Sequence, residues 1–298
     1  MKIETPGKIT DRILMLGRKE SCVYLLDGGS EYVLLGGGMV HIVPEVLEQL
    51  QAFDIDEEKI RRIVIQHSHF DHCGIVPFFK KRWPWMTVTA TERTQERLRL
   101  QKVIDACERY NRIVLKQYGR EEAAEHLGLV FTGVDVEETV SSGDRLGCGD
   151  LTLEILEVPG HSSCSIAVYV PAIKAMFTSD SGGIPCGDEI FTVANSNFDL
   201  YIESLGKISA YDMEAVLAAH YGGVTGPDVP GFMTASMNSA LETRKMLEAS
   251  WARTRDLARS TEEMTRFVMK TLPDNYFARE VISMVIGQMI KYIAGKNP

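Results

Sequence analysis

The chain has 298 residues, 45% hydrophobic and 24% charged, which suits one large globular domain or one domain with a small appendage. A net charge of −9 and a pI near 5.4 argue against nucleic acid as the main partner, because a phosphate backbone needs a basic surface. No apolar run reaches the roughly 18 residues of a bilayer span, and Met1–Lys8 has no signal-peptide core, so a cytoplasmic protein with no membrane partner is expected.

Residues 12 to 35 read as short strands separated by turns. Asp27-Gly28-Gly29-Ser30 is the hairpin turn between Ser21–Leu26 and Glu31–Leu35. Val43–Gln51 has helical spacing, and Arg61–Gln66 reads as a buried strand. Ile75–Arg82 then starts a helix that Trp83-Pro84-Trp85 stops, and Met86–Ala90 is another strand. Residues 91 to 130 turn polar and helix-rich, an insertion that either packs on the sheet or walls a pocket. Strands return from about 137 to 179, Phe198–Ala210 is a helix, and Ala215–Ala219 is expected to be the last strand. Beyond Pro230 the chain reads as helical, over Phe232–Ala258, Thr261–Thr271 and Ala278–Ile293. In the last of these, Val281, Ile282, Val285, Ile286, Met289, Ile290 and Ile293 share one wide apolar face. Either this domain or a second copy of the chain, as a homodimer, must cover that face. Strands and helices alternate through the first 220 residues, which suggests two sheets with helices outside, a four-layer α/β arrangement.

The stretch His67-Ser68-His69-Phe70-Asp71-His72 packs three imidazoles and a carboxylate into six residues at the end of a strand. Such a ligand set suits zinc, iron or manganese. Three further candidates also end strand-like segments: His161 in Pro159-Gly160-His161, Asp180 after Ala175–Ser179, and His220 after Ala215–Ala219. Each alone reads as an ordinary core or surface residue. Beside the first cluster they read as parts of one site. His41 and His126 fall outside the pattern. The six cysteines form no CxxC pair, which argues against a thiolate zinc knuckle. Cys73 and Cys164, close to His72 and His161, read as small buried apolar residues, with a redox-sensitive thiol as the alternative.

The order His67-Ser68-His69-Phe70-Asp71-His72, Gly160-His161-Ser162, Ser179-Asp180 and His220-Tyr221-Gly222-Gly223 resembles the metallo-beta-lactamase superfamily over about residues 10 to 223. The stretch Gly160–Ala167 followed by Tyr169-Val170-Pro171 is similar too. The inserted and C-terminal helices resemble the branch of the quinolone signal response protein, whose C-terminal helices wall its pocket. The resemblance implies an αββα sandwich over 1–223, with its helical insertion at about 91–130 and a helical extension over 224–298 that walls the pocket or contacts a second copy. It also implies two divalent metal ions, one on His67, His69 and His161, the other on Asp71, His72 and His220, with Asp180 as the bridge. One position departs from the family pattern. Gly36, in Leu34-Leu35-Gly36-Gly37-Gly38, stands where the family usually has an aspartate that supports the loop.

Two ions roughly 3.5–4 Å apart can share one water and lower its pKa from about 15.7 towards 7, giving a hydroxide nucleophile at neutral pH. Asp71 and Asp180 then hold and partly neutralise the cations, and Asp71 is the candidate acceptor of the nucleophile's proton. Zinc is the first choice of metal, with iron or manganese as alternatives. Neutral imidazoles bind metal, so activity should fall in acid. The expected substrate is a small ester, a thioester or a lactone. A phosphoester is the alternative, as is a signalling effector with incidental thioesterase activity. Tyr221, next to His220, either orients substrate or packs in the core.

Overall fold

The computed structural model describes residues 1–272 and 278–296. Two short strands open the chain, β1 (Lys2–Ile3) and β2 (Gly7–Lys8), followed by β3 (Ile13–Arg18), β4 (Ser21–Asp27) and β5 (Tyr32–Leu35). Helices and strands then alternate: α1 (Val43–Ala52), β6 (Ile60–Val64), α2 (Val76–Arg82) and β7 (Thr87–Thr91). The insertion comprises α3 (Glu92–Leu98), α4 (Gln101–Gln117) and α5 (Glu121–Leu127). After it come β8 (Glu138–Val140), β9 (Arg145–Cys148), β10 (Leu151–Glu157), β11 (Ile166–Val170) and β12 (Ala175–Phe177). A small ribbon of β13 (Ile184–Cys186) and β14 (Glu189–Phe191) precedes α6 (Phe198–Ser209), β15 (Ala215–Leu217) and β16 (Gly223–Thr225). The tail is α7 (Val229–Thr254), α8 (Leu257–Thr271) and α9 (Arg279–Lys296).

Among the described residues all the strands but β13 and β14 form two seven-stranded sheets, ordered β2-β3-β4-β5-β6-β7-β8 and β1-β16-β15-β12-β11-β10-β9. Period-two patterning separates their faces. Ile13 and Met15 of β3 meet Val168 of β11 and Phe177 of β12 between the sheets, while Leu14 and Leu16 turn outward to pack with Val46 of α1 and Phe79 of α2. On the far side, Ala167 and Tyr169 of β11 pack with Phe198 of α6 and Leu247 of α7. Three apolar layers therefore separate four structural layers, the expected αββα sandwich.

Several expectations need correction. Ala215–Ala219 is not the last strand, because β16 pairs with both β15 and β1. Gly223-Val224-Thr225 is too short and too glycine-rich to show a hydrophobic period, and the brief β13–β14 ribbon escaped notice for the same reason. The first tail helix ends at Thr254 rather than near Ala258. Arg255 there takes φ +49°, and the Asp256 side chain caps α8 by accepting from Arg259 N. On α9, Ile282, Val285, Ile286, Met289, Ile290 and Ile293 are buried in the same cluster as α6 and α7, so this chain covers most of that face, while Val281 remains 39% exposed. The expected extension over 224–298 includes 273–277 and 297–298, which lie outside the described residues. Among the described residues, no helix is long and apolar enough to cross a membrane.

Candidate metal centre

Parallel pairing brings the candidate ligands to one edge of the sandwich. β6 lies between β5 and β7, parallel to both, so its carboxyl end delivers the His67–His72 loop to that edge. This is where open α/β sheets present their binding loops. In the other sheet β12 and β15 run parallel with Phe177 paired to Leu217, and Asp180 and His220 each follow three residues later. His161 comes from the loop after β10, where Gly160 takes φ +134°. A Cβ at Gly160 would sit 2.3 Å from Tyr201 N, so only glycine lets that loop pass against α6. Gln66, just before the ligand loop, ties the sheets together: its Nε2 donates to Phe177 O at 2.8 Å, and Ile166 N donates to its carbonyl at 2.9 Å.

All seven side chains meet there. Three overlapping groups have candidate ligand atoms within 4.8 Å of one another: His67, His69 and His161; His67, His72 and Asp180; and Asp71, His72 and His220. His67 Nε2, His69 Nδ1 and His161 Nε2 are separated by 3.0–3.2 Å. On the other side His72 Nε2 and His220 Nε2 are 3.2 Å apart, and each is 3.5 Å from Asp71 Oδ2. Asp180 lies between the groups, with Oδ2 3.2 Å from His72 Nε2 and 3.3 Å from His161 Nε2, and Oδ1 3.6 Å from His220 Nε2.

The outer hydrogen bonds decide which nitrogens face inward. His161 Nδ1 donates to Val193 O at 2.8 Å and His220 Nδ1 donates to Glu20 O at 2.7 Å. A carbonyl can only accept, so in the neutral ring Nδ1 carries the hydrogen and Nε2 turns its lone pair to the centre. Ser179 Oγ stands 3.4 Å from Nδ1 of both His67 and His72, at a residue held at φ +50°. Burial, reinforced by neighbouring imidazoles, pushes His67 well below the usual histidine range and His69 down to about 3. Burial also opposes charge on His72, but Asp180 and Asp71 outweigh it and lift the ring to about 10. Asp180 is raised by burial, yet the rings of His72, His220 and His161 hold it well below the carboxylate range. Asp180 Oδ1 is buried without a hydrogen-bond partner among the described residues. Convergent ring nitrogens, two ionised carboxylates and an orphaned carboxylate oxygen together form a donor set that fits divalent cations of the zinc, iron or manganese type.

His67, His72, His161, Asp180 and His220 are buried, whereas His69, Phe70 and Asp71 are half-buried, so the centre opens on their side. The Phe70 ring stacks on Tyr110 of α4 with centroids 5.1 Å apart, which makes the insertion one wall of that opening. The Tyr221 ring sits in the outer apolar layer, against a cavity of about 190 Å³ that Ile190 and Phe232 also line. Gly36 takes φ +91°, a backbone conformation that disfavours the aspartate of the family pattern. All six cysteines are buried and unpaired, and Cys164 Sγ lies 3.4 Å from Ser68 Oγ and 3.3 Å from Ser162 Oγ. Sequence reasoning gave no site role to Glu20, Gln66 or Ser179. Only the adjacency of Gln66 and Ser179 to candidate ligands could have pointed to them.

A family model described as the metallo-beta-lactamase superfamily matches residues 17–220, a span that includes all seven residues. Two curated hydroxyacylglutathione hydrolases match locally. The one from Mesorhizobium japonicum is 37% identical over 46 residues, 15% of this chain and 18% of its own length. The one from Ruegeria pomeroyi is 48% identical over 42 residues, 14% of this chain and 16% of its own length. The match thus spans less than a fifth of either relative. Among solved structures, a metallo-beta-lactamase family protein from Thermus thermophilus superposes with TM-score 0.67 at 14% identity, covering 95% of this chain and 94% of that one. An archaeal superfamily protein from Sulfolobus tokodaii gives TM-score 0.57 at 18% identity, covering 81% and 85%. These structural likenesses establish the fold.

Proposed function

The chain belongs to the metallo-beta-lactamase superfamily, and we propose that it is a metal-dependent hydrolase that cleaves a small ester, a thioester first and a lactone next, beside two divalent cations. The observation that carries the substrate class is the local likeness to hydroxyacylglutathione hydrolases, named for an acyl group carried on glutathione, a thioester. The proposed ligands are His67, His69 and His161 for one cation and Asp71, His72 and His220 for the other, with Asp180 shared. The converging nitrogens and the short Asp180 contacts to both sides support this division. Zinc is the first choice, with iron or manganese as alternatives, because the donors are nitrogen and oxygen without thiolate. Residues 1–223 act as the metal-binding domain, and the extension after them backs its outer sheet through the described helices α7, α8 and α9.

When bound, such cations supply Lewis acidity and bring the pKa of a water near 7. This chain's residues do the rest. His161 and His220 are held by Val193 O and Glu20 O in the tautomer that turns the Nε2 lone pair towards the centre. Asp180, the more deeply buried carboxylate, neutralises positive charge from between the two halves. Asp71 has a side chain 21% exposed at the open edge, and there it takes up the proton released when water attacks the ester carbonyl and passes it to the thiolate or alkoxide that departs as the acyl bond breaks. Phe70 and Tyr110 give the acyl or thiol arm an aromatic wall. Metal analysis paired with a panel of thioesters, lactones and phosphoesters tests this reading. Two cation equivalents per chain and fastest turnover of a thioester are expected. A preference for phosphoesters overturns the substrate class, and a chain that stays metal-free after reconstitution overturns the centre.

A further inference from the structure

We infer that Glu20 is a positioning residue for the His220 side of the centre, and that it couples the inserted helices α4 and α5 to one of the two cation sites. The inference rests on the reading of His220 as a ligand. Lys19 and Glu20 form the tip of the β3–β4 hairpin, where Arg18 pairs with Ser21. That tip grips the His220 loop through three hydrogen bonds to or from the backbone. Tyr221 N donates to Lys19 O at 2.5 Å, His220 Nδ1 donates to Glu20 O at 2.7 Å, and Cys22 N donates to Ala219 O at 2.7 Å. The direction of the His220 ring therefore follows the placement of the Glu20 carbonyl.

The side chain of Glu20 fixes that placement. Its Oε1 accepts from Arg18 Nε at 2.6 Å and lies 3.4 Å from His41 Nε2. Arg18 Nη1 also donates to Glu45 Oε1 at 3.0 Å, and Arg120, at the start of α5, donates to the same oxygen. The His41 ring stacks on Tyr118, just past the end of α4, with centroids 4.1 Å apart and planes 8° apart. The Arg18 guanidinium lies over the same Tyr118 ring, 5.7 Å from its centroid. Charges of alternating sign, Arg120, Glu45, Arg18 and Glu20, thus run from the insertion to the acceptor of His220. His41 is fully buried, and the side chains of Glu20 and Glu45 are only 11% and 16% exposed, so the two carboxylates depend on the guanidiniums of Arg18 and Arg120 for their charge partners. The rings of His67 and His161 are held elsewhere, by Ser179 Oγ and Val193 O. A disturbance at Glu20 should therefore reach one cation and spare the other.

Stepwise titration of the demetallated full-length chain with cobalt(II), followed by absorption and calorimetry, tests this. Glu20→Ala is expected to weaken one of two equivalents by about 10–100-fold, the usual effect of losing an outer partner of a ligand. The other equivalent should keep its affinity and its cobalt spectrum. Glu20→Gln, which retains an acceptor for Arg18, should restore part of the loss. Arg120→Ala, remote from the centre and the fallback if Glu20→Ala does not fold, should weaken the same equivalent by a smaller factor. Equal weakening of both equivalents marks Glu20 as a general stabiliser and overturns the inference, as does unchanged binding in Glu20→Ala and Arg120→Ala. Cation uptake that His220→Ala leaves unchanged overturns the reading of His220 as a ligand, and this inference with it.

Discussion

Asp180 is where the two halves of the centre meet, since its Oδ2 lies close to His72 on one side and His161 on the other. Asp180→Asn keeps the shape but removes the negative charge that three imidazoles face. Loss of an outer partner alone costs about 10–100-fold in metal affinity, so Asp180→Asn should weaken cation binding by at least about a hundredfold and abolish hydrolysis. Equilibrium dialysis with metal analysis reads this, and full occupancy in the variant would contradict a shared role. Gly160→Ala tests the loop that carries His161. A methyl pressed against the backbone of Tyr201, at φ +134°, should lower stability by about 1–3 kcal/mol in denaturant unfolding and reduce cation affinity in the same protein. The seven proposed ligands were legible because chemistry-bearing residue types end apolar runs. Glu20 was not, because it acts through a carbonyl on a ring 200 positions away, a relation that no local spacing encodes.

Among the elements, those with a full hydrophobic period were the ones legible in sequence. β4, β6, α1 and α2 fall within a residue or two of their expected bounds, whereas two- and three-residue strands such as β1 and β16 are defined only by the strands they pair with. The docking of the tail was also hidden, since its polar clasp joins three distant helices. Asp199 of α6 accepts from Tyr292 Oη of α9 at 2.8 Å and from Arg244 Nη1 of α7 at 2.6 Å, with Lys296 Nζ 3.2 Å away. The Tyr292 and Arg244 hydrogen bonds, against a small opposing effect of burial, hold its carboxyl down at about 2. A carboxyl depressed in the folded state stabilises above its unfolded pKa, near 3.9. That contribution disappears as pH falls through about 2. The melting temperature of wild type should therefore exceed that of Asp199→Asn at pH 6, and the gap should close progressively below pH 4. A gap that stays constant to pH 2 would mean that the Asp199 charge does not hold the tail.

For the molecule as a whole, the centre is a joint between the sheets. His67, His69, Asp71 and His72 follow β6 of one sheet, while His161, Asp180 and His220 follow β10, β12 and β15 of the other. The αββα layering was legible from alternating elements, but this cross-connection became visible only once parallel pairing had set β12 beside β15 and β6 beside β7. Cations that bind ligands from both sheets stabilise the folded chain by mass action, about 2.7 kcal/mol for one site at a free concentration a hundred times its Kd. For a chain of 298 residues that corresponds to a fall in melting temperature of about 4 °C per site on chelation. Calorimetry with and without a chelator measures it, and far-UV circular dichroism should stay unchanged, because Gln66 and the inter-sheet apolar layer hold the sandwich without metal. If chelation left the melting temperature unchanged while metal was demonstrably removed, the cations would bind the unfolded chain as well as the folded one, and a centre assembled by folding would be wrong.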